Sequence, residues 1–337
     1  MTAAPASAWG VLSHVSGEDG PAAAYERAIR LAQAAESAGY GSFWVAQHRF
    51  GAQRAHLPAP LVLLAAVARE TSSIELGTAS IAAALEDPKR LAEDAAVVDA
   101  LSGGRLQLGL GSGSEPVASA AWGFDHDARY ERFWSVADEL CSVLAGGPFG
   151  RLGDVAANAD SPGVLTPGHP SPVDRDGRVG VTAPLLHPPA GGLGQRIWVT
   201  AASSDTASNA ARRGLGLIVG RRRVGDGGVR AEDGRVAGVI DDYRASGGAR
   251  VAVSRPVVAS SDASIVEMVR GEERRLRGPG STLTIATGPA GELLEAFSAD
   301  PGIRRADRIL LHTRPIDVPL EAEIESIHAL ALACLKG

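Results

Sequence analysis

Three short stretches carry side chains whose types and spacing suit chemistry. The first is Gln47-His48-Arg49-Phe50. Histidine is the usual proton donor or acceptor near neutral pH, worth about 10²–10⁴ in rate at a reacting group. A histidine satisfied by local hydrogen bonds is the structural alternative. The second stretch is Gly111-Ser112-Gly113-Ser114, a loop almost without side chains. Such a loop lets a phosphate, or something large and flat, approach the backbone closely. The third is Ser203-Ser204-Asp205-Thr206, at the start of an expected helix. Hydroxyls and free N–H groups there can hold a phosphate, or Ser204 can simply cap the helix. Arg221, Arg222 and Arg223 can lend charge to a ligand, with a solvated rim as the simpler reading. His14, His48 and His312 are a conceivable metal set, but no tight His-x-His pair or placed carboxylate accompanies them, so no metal is expected.

The elements that must position these residues follow from hydrophobic periodicity. Residues 87–115 show the pattern most fully. Asp87 suits a helix N-cap and Pro88 the first helical position. Leu91, Ala95 and Val98 share one helical face, and Ser102-Gly103-Gly104 stops the helix. Leu106, Leu108 and Leu110 then alternate with Gln107 and Gly109 as a strand. The same reading predicts strands over 8–15, 42–46, 74–82, 106–110, 197–200, 215–219, 249–259 and 308–312. Helices are expected over 21–38, 58–69, 88–102, 130–145, 205–213, 236–245, 264–277, 291–298 and 319–335, with a polar loop over 225–234.

Short strands alternating with helices imply parallel β-structure with crossover helices. Eight strand–helix units run evenly to the end, so the expected fold is α/β, a closed (β/α)8 TIM barrel, and not a doubly wound sheet. Gly109-Leu110-Gly111 falls on the fourth strand, without the acidic residue a dinucleotide-binding motif needs. Residues 146–195 are Gly/Pro-rich and weakly periodic, with a turn signal at Asp176-Gly177. They read as an irregular insertion after the fourth helix, inside one domain spanning 1–337. Barrel chemistry sits where strands end. That places His48 after strand two, Gly111 to Ser114 after strand four and Ala201 to Thr206 after strand five, with His14 and His312 on neighbouring strands. Asp99 and Arg105 fall at the opposite end, as a structural ion pair or turn contact. Trp44, Trp122, Phe124, Trp134 and Trp198 form no stacking stripe and are assigned to core packing.

The chain has 337 residues, 45% of them hydrophobic and 21% charged, and a formal charge of −6. That charge argues against nucleic acid or an anionic membrane surface as partner. No apolar run reaches the roughly 18 residues of a membrane helix, and the N-terminal stretch lacks the regions of a signal peptide. Cys141 and Cys334 form no metal or redox motif, so a reduced, cytoplasmic protein is expected. Lysine occurs only at Lys89 and Lys336, a coding bias expected of a GC-rich genome.

Four runs together resemble the bacterial luciferase-like flavin-dependent monooxygenases: AESAGYGSFWVAQHRF, TSSIELGTASIAAALEDP, PKRLAEDAAVVDALSGGRLQLGLGSG and IWVTAASSDTASNAARRGLGLIVG. They cover about two thirds of the chain in the family's order. WVAQH combined with GSGS is similar to a branch of FMN-dependent members. The resemblance implies that His48 is the active-site histidine. It implies that Ser203, Ser204 and Thr206 form the phosphate segment and that Gly220 lies near the phosphate. Ala79-Ser80 matches a bulge, frequently with a non-proline cis peptide, against the isoalloxazine ring. Gly111 and Ser112 then become a wall of the cofactor site.

Two departures stand out: Gln47-His48-Arg49 replaces a common Glu-His-His, and Ser112 stands where relatives often place a basic residue. The implied activity is a monooxygenase that takes reduced FMN from a separate flavin reductase and uses O2 to oxygenate a small organic substrate. A deazaflavin coenzyme serving hydride transfer on the same fold is one alternative, and a flavin-binding relative without turnover is another. A homodimer is expected from the resemblance. Substrate choice is expected to lie in 146–195 and in the loops after strands one, two and seven.

Overall fold

A computed structural model describes residues 8–51, 55–149, 185–221, 228–276, 284–313 and 315–335. Its strands are β1 (Trp9–Ser13), β2 (Ser42–Val45), β3 (Glu75–Thr78), β4 (Ile81–Ala82), β5 (Leu106–Gly111), β6 (Ile197–Thr200), β7 (Gly216–Val219), β8 (Val251–Ala259), β9 (Ala286–Gly288) and β10 (Arg308–His312). The ring runs β1-β2-β3-β5-β6-β7-β8-β10, and β10 pairs back to β1, with every ladder parallel. This is a closed eight-stave barrel with helices between the staves. β1, β2, β5 and β7 are buried along their whole length, as strands enclosed on both faces must be.

The expected third strand, 74–82, is divided. β3 ends at Thr78, the Ala79–Ser80 peptide is cis, and β4 resumes along β5. β9 was not anticipated; among the described residues it pairs only with the far end of β8. Helix Pro88–Ser102 forms as read: Asp87 accepts the Lys89 and Arg90 N–H groups at 2.9 Å, and Gly103 takes the left-handed φ of 70°. Helix Gly228–Ala245 corrects the polar loop expected over 225–234. Glu232 is 1% exposed and paired with Arg235 on the same helix, so charged residues lie on a buried face and mask its periodicity. The turn signal at Asp176-Gly177 lies outside the described residues.

Two tryptophans fill the barrel interior. Trp44 and Trp198 meet edge to face at 5.9 Å and 86°. Gly77 faces one indole and Gly216 the other, where a Cβ would collide with the ring. Trp198 Nε1–H donates to Gln107 Oε1 at 2.8 Å, and the Arg308 guanidinium lies over both rings while pairing with Glu75 at 2.6 Å. The core assignment holds for these two residues but not for Trp122, which is 43% exposed.

Asp99 and Arg105 are satisfied separately. Asp99 accepts from Arg196 at 2.7 and 3.0 Å, whereas Arg105 donates to the carbonyls of Ser102, Ile74, Ala68 and Thr71. Among the described residues no helix is long and apolar enough to cross a membrane.

Candidate active site

A cavity of about 750 Å³ opens at the C-terminal ends of the strands. It brings together His48, Ala79, Ser80, Gly111, Ser112, Ser203, Thr206 and Gly220. Ser204 is not on its lining. It is the first residue of helix Ser204–Arg212, and the N-cap is Ser203, one residue earlier than read. Ser203 Oγ accepts the Thr206 N–H at 3.4 Å and donates to Thr206 Oγ1 at 3.1 Å.

One wall is nearly all backbone. Thr78 locks β3 to β5 by exchanging two 2.8 Å bonds with the main chain of Gly109. A Cβ at Gly109 would collide with the Thr78 carbonyl, and one at Gly111 would stand 2.5 Å from Ser80 Oγ. Glycine at both positions is what allows β5 to lie against the β3–β4 junction. Gly113 follows with φ of 80°, a conformation glycine adopts without strain. Ala79, Ser80, Gly111 and Gly113 therefore present a surface without bulky side chains.

Beside this wall stand three imidazoles. The His14 and His48 rings are 5.0 Å apart, and His14 stacks on His312 at 4.0 Å and 15°. The backbone N–H of His48 donates to the Leu57 carbonyl at 3.0 Å, and its Nδ1 lies 3.9 Å from Glu115 Oε1. The rings stack, and among the described residues no group of three or more His, Cys, Asp or Glu is placed to hold a metal ion.

The departure at Gln47 has a geometric account. Its Oε1 accepts the Ala82 N–H at 2.8 Å, and its Nε2 donates to the Pro58 carbonyl at 2.9 Å and to Glu86 Oε1 at 3.2 Å. Two acceptors face Nε2, so this position needs a donor, which an ionised glutamate lacks. The local carboxylate is Glu86, which also takes a 2.7 Å bond from Arg49. Arg49 in turn covers the exposed Trp122 ring at 4.4 Å.

The β6–β8 side is built from charge. Arg221 reaches Asp233 at 2.6 Å and Asp300 at 3.2 Å, and Arg255, 1% exposed, clamps both oxygens of Asp300 at 2.7 and 2.8 Å. Burial pushes the Asp300 carboxyl up, but the Arg255 bonds and charge, the Ile303 N–H and Arg221 together hold it below its ordinary range. Arg221 is thus an interior ion-pair partner and not a solvated rim; Arg222 and Arg223 lie outside the described residues. Arg235 bonds the carbonyls of Ala202 and Gly220 at 2.8 and 2.7 Å. Arg129, which no motif singled out, also lines the cavity, over the Tyr130 ring at 4.3 Å. The Glu232–Arg235 spacing of three was the one sequence signal available for this side.

The chain is similar to several known proteins. It is 33% identical over 162 residues to the protein y4wF of Sinorhizobium fredii, covering 48% of this chain and 47% of that one. It is 28% identical over 122 residues to the oxygenase component of a flavin-dependent trigonelline monooxygenase of Acinetobacter baylyi, covering 36% and 32%. The alignments therefore span about half or less of these relatives' lengths. Among solved structures it shares the fold of the monooxygenase RslO1 of Streptomyces bottropensis, with TM-score 0.74, 19% identity, and 96% and 97% of the two chains covered. The oxygenating constituent of 3,6-diketocamphane monooxygenase from Pseudomonas putida, solved with FMN, gives 0.58 at 19% identity over 96% and 84%. The coenzyme F420-dependent tetrahydromethanopterin reductase of Methanopyrus kandleri gives 0.62 at 15% over 96% and 97%. The description of the luciferase-like monooxygenases matches residues 7–292, most of the sequence, and the chain belongs to that family.

Proposed function

We propose that this protein is the oxygenase of a two-component flavin-dependent monooxygenase. It would take reduced FMN from a separate flavin reductase and use O2 to oxygenate a small organic substrate. The observation that carries this reading is one cavity that joins a flat, small-residue wall to a hydroxyl-lined helix start. The residues fit the cofactor. Ala79, Ser80, Gly111 and Gly113 leave room for a planar ring system, and a Cβ at Gly111 would meet the Ser80 hydroxyl. Ser203 and Thr206 offer hydroxyls at the N-terminus of helix Ser204–Arg212, an environment that favours a phosphate. The cavity lies within the roughly 300–1,000 Å³ typical of such sites. Arg129 lines the same cavity and brings positive charge that Ser112 does not, whereas the charge of Arg221 is offset by Asp233 and Asp300.

Bound reduced flavin would supply the electrons that activate oxygen. His48 would hold or move a proton at its ring nitrogens, one of which, Nδ1, lies 3.9 Å from Glu115 Oε1. Leu12 and Ile218 would keep the cavity floor apolar and exclude water. The named activity of the Acinetobacter relative and the FMN in the Pseudomonas structure support this reading. We read 1–337 as one domain that works as a cytoplasmic homodimer.

The rival reading is hydride transfer with a deazaflavin coenzyme, which the Methanopyrus structure supports on the same fold. Titration with FMN and with the deazaflavin coenzyme, followed by turnover assays with and without O2, separates the two. Oxygen consumption coupled to reduced FMN is expected. Oxygen-independent turnover of the reduced deazaflavin would replace our reading, and tight binding of oxidised flavin without oxygen uptake would mark a protein that has lost turnover.

A further inference from the structure

We infer that Arg235, from outside the cavity, aims two peptide N–H groups into it as anion donors, and so serves as the positioning residue of the phosphate end. The inference rests on the cofactor reading above for the identity of the anion, and on geometry for everything else. Arg235 Nη1 donates to the Ala202 carbonyl at 2.8 Å and Nη2 to the Gly220 carbonyl at 2.7 Å. Its Nε is held at 2.9 Å by Glu232, which is 1% exposed. Among the described residues, the last backbone bond between the β6 and β7 segments runs from the Ala201 N–H to the Ile218 carbonyl. Beyond it, the two loops are joined through this guanidinium.

The consequence follows from peptide geometry. The Ala202–Ser203 and Gly220–Arg221 peptides are trans, and in a planar trans peptide C=O and N–H point in opposite directions. Ala202, Ser203, Gly220 and Arg221 line the cavity, whereas Arg235 does not. Carbonyls drawn to Arg235 therefore turn the Ser203 and Arg221 N–H groups toward the cavity. Neither N–H donates to any described residue. The same guanidinium takes up the negative ends of two carbonyls that would otherwise repel a phosphate. Gly220 lies close against β8, where a Cβ would stand 2.6 Å from Ser254 Oγ. The loop is seated against β8 on one side and held by Arg235 on the other.

The test compares affinity for FMN and for riboflavin, which lacks the phosphate, in the wild type, Arg235→Gln and Arg235→Lys. If the protein takes the deazaflavin coenzyme instead, the pair becomes that coenzyme and its unphosphorylated ribityl core. Arg235→Gln is expected to weaken FMN about 10–100-fold while riboflavin changes less than about threefold, with Arg235→Lys in between because one bond survives. Equal losses for both ligands, or no loss for either, would overturn the inference. Arg235→Lys keeps the test open if the glutamine variant does not fold. Thermal stabilisation by inorganic phosphate provides a second readout: it should appear in the wild type and disappear in Arg235→Gln. Wild type that binds no flavin yet shows this phosphate response removes the cofactor reading and keeps the inference. Wild type that answers neither flavin nor phosphate removes both.

Discussion

Between β2 and β5 the cavity wall is held mainly by main chain and neutral side chains: reciprocal Thr78–Gly109 bonds and the bridging amide of Gln47. Between β6 and β8 it is held by charge: Arg221, Arg235 and Arg255 against Glu232, Asp233 and Asp300. A flat ring needs a surface free of side chains, and backbone bonds provide that at fixed positions. An anion needs aimed donors, and buried cations provide those only when carboxylates compensate them. Damage to the first region should therefore appear mainly in ligand geometry and turnover, and damage to the second mainly in folding stability and anion affinity.

The largest expected effect tests the β2 side. His48→Ala should lower turnover by about 10²–10⁴ while flavin affinity stays within about threefold. Stopped-flow kinetics and flavin titration measure both, and unchanged turnover would remove His48 from the chemistry.

Next, Asp300→Asn leaves Arg255 buried without its carboxylate and should cost about 3–5 kcal/mol of stability by urea denaturation. A loss under about 1 kcal/mol would show that charge does not hold this side. The pH dependence has a definite sign. The folded pKa of Asp300 is depressed, so its contribution is complete above the ordinary carboxylate value of about 4 and fades as pH falls through the lower folded value. Asp300→Asn should accordingly lose part of the acid sensitivity of the wild type.

Gly109→Ala forces a Cβ onto the Thr78 carbonyl and should cost about 1–3 kcal/mol, together with weaker flavin binding. A variant as stable as wild type would show that β3 and β5 can separate freely. Gln47→Glu places a second carboxylate against Glu86 and the Pro58 carbonyl, and should cost about 1–2 kcal/mol near neutral pH, with partial recovery in acid. The smallest effect is expected from Ser112→Arg. Because Arg129 already lines the cavity, FMN affinity should change about fivefold or less. A tenfold gain would show that the missing charge is a real deficit.

The β2–β5 region was largely legible because its signals are local. Strand periodicity, the Asp87 cap, the Gly103 stop and the glycine loop each act within a few residues, and the rule that barrel chemistry sits at strand ends located His48. The boundary errors are also local. Ser203, not Ser204, caps its helix, because its hydroxyl is the one that meets the Thr206 N–H, and adjacent serines give no local signal to choose between them. The β6–β8 region was mostly illegible. A run of arginines reads as solvated until its partners are known, and those of Arg221 stand 12 and 79 residues away. The polar start of helix Gly228–Ala245 hid its buried face for the same reason.

The sequence by itself determined the barrel and the order of its loops, since backbone propensity and hydrophobic period are short-range and repeat eight times, and its four motif runs carried the resemblance to the family. Only the tertiary structure decided which charges are neutralised and which donors remain. Gln47 works as a donor because Glu86 arrives from another strand end. Arg221 is an interior residue because Asp300 arrives from the far end of the chain, and Arg235 spans two loops that only barrel closure brings together. Ion pairs and hydrogen bonds act over a few ångströms in space and carry no signature along the chain, so their pattern appears only after folding.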